Sequence, residues 1–309
     1  MQASVTEKHH GVRLSSFLLG TLGISHSLLP RLKREGRILV NGTPTNVNYR
    51  LQNGDEVTVI TEEAPQAEGL FSKEEGLALL HRHGISVLWE DPSLLCLIKP
   101  RGLITHPASH YQNGSLGEYV SLYLGAPFRP VSRLDVGTGG LLLAAKNAHA
   151  AARLTRLIKE GQVEKTYLAL SERAPEKEKG VSLFYTKPCP RFPSRRVVCG
   201  KEEGQRCETR FLYLGERDGL HATLCRPLTG RTHQIRMTMA RLGAPLLGDT
   251  AYAYLAGGEA PREREDAPTE LGLFAVCLTL PHPLSGEALT FFLPDDEIPY
   301  AVPSFRHLF

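Results

Sequence analysis

The chain reads as an α+β protein. A large mixed, mostly antiparallel sheet with flanking helices follows a small N-terminal α/β unit. Three observations predict this. From residue 85 onward strand-like runs clearly outnumber helical ones, which argues against a regular alternation of strands and helices. Residues 11 to about 62 have their own order of helix, helix and strands. A length of 309 residues is enough for one large and one small domain.

The N-terminal elements follow from spacing. In residues 13–22, Leu14, Phe17 and Leu18 share a helical face, with Leu22 one turn on. Ser27 fits the N-cap of a second helix running through Glu35, with Pro30 in the first turn, where its missing N–H costs little. Leu28, Leu29 and Leu32 form its apolar stripe, and Gly36 ends it. Ile38-Leu39-Val40, the turn Asn41-Gly42 and residues 55–60 then read as strands around a hairpin. Residues 63–80 lack a regular pattern and hold Pro65, Gly69 and several glutamates, which predicts a linker. The expected units are therefore 1–62 and 81–309.

In the larger unit, strands are predicted over residues 85–89, 94–98, 141–145, 163–170, 211–214, 221–225 and 290–293. Two stretches read as surface loops: 173–180, which is charged, and 257–268, rich in Glu, Arg and Gly. Ile235, Met239 and Leu242 give a helical stripe, and Gly243 fits the position just past that helix.

Composition excludes some functions. No apolar run approaches the ~18 residues of a membrane helix. The start, Met1-Gln2-Ala3-Ser4-Val5, lacks a basic segment followed by an apolar core, so a cytoplasmic location is expected. Six cysteines with irregular gaps and no Cys-x-x-Cys pair predict free thiols, several of them buried, and no metal site. No cofactor motif is present. A net charge of +3 neither requires nor forbids a nucleic-acid partner, so any RNA contact must come from local patches. One such patch is Arg31, Lys33, Arg34 and Arg37, on the second helix and its exit. Four cations this close suit a phosphate backbone, although a solvated helix face has the same appearance.

Three segments hold residue types that packing alone does not require. In the first, Lys99-Pro100-Arg101-Gly102-Leu103-Ile104-Thr105-His106-Pro107, a strand end turns and presents a histidine, an arrangement that is more often structural than catalytic. In the second, Arg133-Leu134-Asp135 precedes the glycine-rich turn Gly137-Thr138-Gly139-Gly140 and an apolar strand. A carboxylate placed there is held by backbone, and the glycines admit close approach of a ligand or another chain segment. The third is Thr229-Gly230-Arg231-Thr232-His233-Gln234-Ile235-Arg236. Two arginines and a histidine near a helix N-terminus suit an anion, or equally a partly buried aspartate.

Together these segments resemble the RluA-type pseudouridine synthases. Lys-Pro-x-Gly-x-x-x-His-Pro, Arg-Leu-Asp, Lys165-x-Tyr167 and Gly-Arg-Thr-His-Gln-Ile-Arg occur in that family's order and rough spacing, from about residue 85 to 295. The N-terminal unit resembles the RNA-binding domain first described in ribosomal protein S-four. Arg13-Leu14, Leu32-Lys33-Arg34-Glu35-Gly36, Val40-Asn41-Gly42 and Gly54-Asp55-Glu56-Val57 carry that likeness.

The resemblance implies isomerisation of uridine to pseudouridine in a folded RNA, without cofactor, metal or membrane. Large-subunit ribosomal RNA is the favoured partner, with transfer RNA the alternative, and the enzyme is expected to be a monomer. Asp135 matches the family's aspartate, which either attacks the anomeric carbon or takes a proton from its neighbour. Tyr167 matches the tyrosine on which the flipped base stacks. Arg236 matches the arginine that pairs with the aspartate and keeps it ionised. Arg133, Arg231 and His233 join the N-terminal patch as expected RNA contacts.

Three positions depart from the family pattern. Ser132 and Phe274 stand where histidines are usual, and Gly139 where a serine is common. Two competing readings are a catalytically inactive RNA-binding protein on this scaffold, and a hydrolase using Ser132 or Ser109 with His106 or His233. The first need not keep Asp135, Tyr167 and Arg236 together. The second lacks a Gly-x-Ser-x-Gly elbow.

Overall fold

The computed structural model describes residues 1–24, 29–34, 36–60, 72–106, 114–192, 194–257 and 270–309, without the side chains of Arg31 and Arg34. The cap expected at Ser27, the apolar position Leu28, Ser109 and all but the first residue of the loop expected at 257–268 lie outside the described residues.

In the N-terminal unit, β1 (Gln2–Ser4) precedes α1 (Leu14–Gly20), α2 (Leu29–Arg34), β2 (Ile38–Val40), β3 (Thr43–Pro44) and β4 (Glu56–Val59). The strands pair in the order β1-β4-β2-β3. Leu14, Phe17, Leu18 and Leu32 meet Ile38, Val40, Val57 and Val59 in a separate buried core. Asn41 and Gly42 both take positive φ (51° and 79°), as a two-residue hairpin with right-handed strand twist requires. The Asn41 amide donates to Asp55 (2.8 Å) and accepts from the Glu56 N–H (2.8 Å), which pins the turn to β4. The short, mostly exposed β1 has no apolar alternation and was not expected from sequence.

The expected linker needs correction. Residues 73–80 lie in α3 (Lys73–Arg82), which packs on the core through Leu80. Its start is a capping box: the Ser72 hydroxyl accepts from the Glu75 N–H while the Glu75 carboxylate accepts from the Ser72 N–H. Gly76 in mid-helix obscured the pattern. It is there because a Cβ would lie 2.9 Å from the Tyr123 ring.

The rest of the chain builds β5 (Ser86–Glu90), β6 (Leu94–Lys99), α4 (Leu116–Leu124), β7 (Arg129–Pro130), β8 (Gly139–Ala145), α5 (Ala148–Lys159), β9 (Glu164–Ser171), β10 (Lys179–Pro188), β11 (Arg196–Cys199), β12 (Gln205–Arg217), β13 (Leu220–Pro227), α6 (Gln234–Arg241), β14 (Leu273–Pro281) and β15 (Ala288–Phe292). They form one sheet of eleven strands in the order β11-β10-β12-β13-β9-β14-β8-β6-β5, with β15 beside β14 and β7 beside β8. Among the described strands the pairing is antiparallel except between β14 and β8, which bears out the mixed, mostly antiparallel expectation. β10, β11 and β14 were not expected from sequence. β10 begins inside the segment read as a charged loop.

That single parallel contact places the second motif. Gly140 has φ +104°, and a Cβ there would lie 2.4 Å from the Ala275 carbonyl oxygen. Only glycine lets β8 approach β14 this closely. Register then aligns Phe211, Cys225, Tyr167 and Ala275 as neighbours across four strands. On this face the Cys225 thiol meets Met239 of α6 at 3.7 Å, so the third motif lies over Tyr167's side of the sheet.

Candidate active site

Asp135 lies between β7 and β8, half-buried, in a turn closed by the Thr138 N–H donating to its carbonyl (3.0 Å). Both neighbours are clamped by the first motif. The buried Thr105 hydroxyl donates to the Leu134 carbonyl (2.7 Å) and accepts from the Leu134 N–H (3.3 Å). On the other side, the Val136 carbonyl accepts from the Gly102 N–H (2.9 Å) and from the Lys99 ammonium (3.3 Å). Lys99 also donates to the carbonyls of Pro100 (2.8 Å) and Leu103 (2.6 Å). The motif containing His106 thus serves mainly to fix the aspartate's backbone, the structural role its prolyl turn suggested.

Lys99 is fully buried, and burial pulls its pKa down to about 7, against the pull of the Asp135 charge. Among the described residues the Asp135 carboxylate has no hydrogen-bond or ion-pair partner. Its charge is nevertheless felt at Lys99, Tyr167, His233, Arg236 and Tyr252. Tyr167 is 8% exposed, and burial, helped by Asp135, holds its phenol neutral well above the usual range.

The expected Arg236–Asp135 pair is not what forms. Arg236 donates from Nε and Nη2 to the two carboxylate oxygens of Asp249, each at 2.7 Å, and both residues are buried. Its guanidinium carbon lies 4.9 Å from the Tyr252 ring centroid. Burial opposes the charge, but the hydrogen bonds and charge of Asp249, with a further pull from Asp135, hold the guanidinium more firmly protonated than usual. Asp249 wins because it offers a two-toothed fit from a neighbouring turn, whereas Asp135 acts on Arg236 through charge alone. The third motif therefore holds a buried aspartate, the second of the two roles its arginines and histidine suited.

His233 occupies the left-handed region (φ 58°) at the start of α6. The Tyr252 hydroxyl accepts the Arg196 N–H at 2.9 Å and lies 2.7 Å from His233 Nδ1. Burial lowers the His233 pKa to about 4, so the ring is neutral near pH 7. Gln234 locks the preceding loop. Its carbonyl accepts from the Thr229 hydroxyl (2.8 Å) and the Arg231 N–H (3.0 Å), and its amide donates to the Glu208 carbonyl and Thr209 hydroxyl (2.9 Å each).

The fold thus brings Asp135, Tyr167, Arg236 and His233 together. Arg133 is exposed beside His106, whose pKa falls through burial and then through the Arg133 charge. Arg231 is exposed, with Nε on the Arg206 carbonyl at 3.3 Å. Lys33 and Arg37 belong to the separate N-terminal unit, and the side chains of Arg31 and Arg34 lie outside the described residues. Among the described residues no hydrogen bond links Ser132 to His106 or His233, so the hydrolase reading has no nucleophile–base pair there. Sequence reasoning missed Asp249, Tyr252 and Lys99 as parts of the site. Gly248-Asp249, following an arginine-bearing helix, was the available signal for the first.

The two departures Gly139 and Phe274 face each other across β8 and β14. A Cβ on Gly139 would lie 3.4 Å from the Phe274 ring and 3.2 Å from Arg101 Cγ. The Arg101 guanidinium lies over Phe274 (5.4 Å) and Tyr300 (5.6 Å).

Comparison with known proteins agrees with this geometry. The sequence profile of the family described as RNA pseudouridylate synthase matches residues 93–241. Over 307 residues the chain is 32% identical to ribosomal large subunit pseudouridine synthase C of Escherichia coli (strain K12), spanning 95% of this chain and 92% of that protein. It is 31% identical over 299 residues to an uncharacterized RNA pseudouridine synthase of Aquifex aeolicus (strain VF5), spanning 92% of this chain and 90% of that protein. A solved structure, human RNA pseudouridylate synthase domain containing 4, shares the fold with a TM-score of 0.56 at 20% identity, over 75% of this chain and 100% of that chain.

Proposed function

The chain belongs to the RluA-type family of RNA pseudouridine synthases, and from that premise we propose that it isomerises uridines of large-subunit ribosomal RNA with Asp135 as the reacting group. The observation that carries the catalytic assignment is the Asp135 carboxylate itself. It is fixed by backbone on both sides and has no partner among the described residues, yet its charge reaches Tyr167, His233 and Arg236.

The reaction exchanges one bond for another within the nucleotide. The bond from the ribose anomeric carbon to uracil N1 breaks, the base turns, and a bond to C5 forms. The C5 proton is lost and N1 gains one, so no redox partner is needed. Asp135 either adds to the anomeric carbon as the base departs or removes a proton from the adjacent ribose carbon. Tyr167 stays un-ionised and offers its ring to the extruded base. Stacking of this kind contributes roughly 1–3 kcal/mol toward the cost of unstacking. Arg236, braced by Asp249, keeps a fixed positive charge near the reacting carboxylate without quenching it through direct hydrogen bonds. Arg133 and Arg231 contact the RNA backbone at the rim, and the N-terminal unit docks on RNA through Lys33, Arg37 and their helix.

The Escherichia coli relative's name supports the choice of target. Mapping pseudouridines across all RNA from cells lacking this enzyme tests it. The expected result is loss of specific sites in large-subunit ribosomal RNA. Loss confined to transfer RNA would replace the target, and loss nowhere would end the proposal.

A further inference from the structure

Between β10 and β11 the chain turns through Cys189-Pro190-Arg191-Phe192 and returns through Arg195 and Arg196. The hairpin is closed by the Cys189 N–H on the Arg195 carbonyl (3.0 Å) and the Arg195 N–H on the Phe192 carbonyl (2.8 Å). The guanidinium carbons of Arg191 and Arg195 each lie 5.2 Å from the centre of the Phe192 ring. None of these residues belongs to a hydrophobic core cluster. Packing therefore does not account for them.

The hairpin itself carries three arginines, Arg191, Arg195 and Arg196, and no carboxylate. Arg191 is exposed, and neither Arg191 nor Arg196 forms an ion pair among the described residues. Arg196 Nε is buried without a hydrogen-bond partner. The nearby carboxylates are already engaged: Glu203 with Lys187, and Glu208 with Arg206 at 2.8 Å. Arg231 adds to the same side, because its charge and that of Arg196 both act on Cys207. Several guanidiniums on one side of the protein raise the local positive potential, which attracts a polyanion.

The hairpin is also tied to the catalytic cluster. The Arg196 N–H donates to the Tyr252 hydroxyl, which bonds His233, the residue that starts α6 beside Asp135's field. Through that chain of contacts the hairpin adjoins the Asp135 cluster, and the exposed Arg231 sits with Nε on the Arg206 carbonyl of β12, two strands from β11. Guanidiniums fixed over a ring lose little freedom when they fork a phosphate, so the Arg–Phe–Arg arrangement is preorganised for that anion.

We propose that the hairpin between β10 and β11 presents an RNA-backbone site, in which Arg191 and Arg195, held by Phe192, grip phosphates of the strand flanking the target uridine. This rests on the RNA-modifying activity of the fold and not on which RNA is the target. The test compares wild type, R191Q/R195Q and R191K/R195K on total RNA from cells lacking the enzyme, reading pseudouridine formation and RNA affinity over a salt series. For the glutamine variant, KM and Kd should rise roughly tenfold with kcat retained, as expected when charge-assisted hydrogen bonds are removed. The slope of log affinity against log salt should become shallower by about 1 for each phosphate that is no longer neutralised. The lysine variant should regain the slope while staying weaker than wild type, because an ammonium cannot fork a phosphate.

An unchanged slope and KM in R191Q/R195Q overturns the site, as does a fall in kcat alone. If the double variant does not fold, the exposed single change R191Q carries the same comparison. Because total RNA is used, a wild-type product outside large-subunit ribosomal RNA would sink the target assignment and still leave the hairpin's effect readable.

Discussion

Arg236 forks Asp249 through two hydrogen bonds of 2.7 Å inside the protein, 3% and 0% exposed at their side chains. Asp135 is therefore left without a neutralising hydrogen-bond partner. Of the two aspartates near this arginine, one is structural and satisfied, and the other is half-exposed and available. Removing Asp249 strands a buried guanidinium, whereas removing Asp135 strands nothing.

The first prediction follows from that asymmetry. Asp249→Ala should destabilise the protein by about 3–5 kcal/mol, the usual consequence of breaking a buried pair from one side. Urea unfolding measures it. A loss below about 1 kcal/mol would mean that Arg236 finds another partner, with Asp135 the first to examine.

Asp135→Asn is expected to behave oppositely. Its stability should stay within about 0.5 kcal/mol of wild type, as for a side chain that makes no buried bonds. Its RNA affinity should persist, and pseudouridine formation should vanish. Chemical labelling followed by primer extension reads the product. Modification at a near-normal rate would remove Asp135 from the chemistry.

Lys99 gives a pH signature. Its folded pKa is about 7, against 10.5 for an unperturbed lysine. Between those values the unfolded chain holds a proton that the folded chain has released, so this group makes stability rise with pH across that window. Below pH 7 both states are charged, and the burial penalty is constant. A displacement of this size corresponds to roughly 5 kcal/mol over the whole window. In Lys99→Met that contribution should be absent, and the variant should also lose stability because three carbonyls lose their donor. Unfolding curves for both proteins from neutral to alkaline pH test this. Parallel pH profiles would show that Lys99 titrates normally.

Much of this site was legible from local sequence, and the remainder was not for definite reasons. The β8 strand, the hairpin at Asn41-Gly42 and the helix ending at Gly243 follow from periodicity and turn chemistry, which are short-range properties. α3 was hidden because Gly76 depresses helix propensity, and its need for a glycine comes from Tyr123, 47 positions along the chain. β10 starts with charged and glycine residues and is a strand because β12 pairs with it. The Arg236–Asp249 pair spans 13 residues through a helix end and two turns, so periodicity alone could not choose Asp249 over Asp135.

Gly139 and Phe274 supply a coupled test. Gly139→Ser alone places a Cβ 3.2 Å from Arg101 and 3.4 Å from Phe274, so neighbours must shift, at a cost of roughly 1–2 kcal/mol. Adding Phe274→His, which is smaller, should recover part of that loss, with a coupling of at least about 0.5 kcal/mol. A double-mutant cycle by thermal unfolding measures it. Strict additivity would mean that the two departures are independent.

Deleting residues 1–62 tests the N-terminal unit. Its apolar core is separate from that of the larger unit, so the remaining chain should keep its sheet and its Asp135 cluster. The contact surface is not empty, because a Cβ on Gly23 would lie 3.1 Å from Arg153 of α5, and His149 of the same helix feels the charge of the N-terminal amine. Some loss of stability at α5 is therefore expected. The larger effect should be on RNA. Lys33 and Arg37, with the cations beside them in sequence, are removed together, so affinity should fall and the salt dependence should become shallower by roughly 0.7–0.9 for each phosphate the unit had neutralised. Activity at saturating RNA should survive, because no residue of the Asp135 cluster is deleted. A truncated protein that modifies its natural RNA with unchanged efficiency at physiological salt would reduce this unit to a cap on α5. One that binds RNA normally but no longer reacts would mean that the unit positions the RNA on Asp135 instead of holding it.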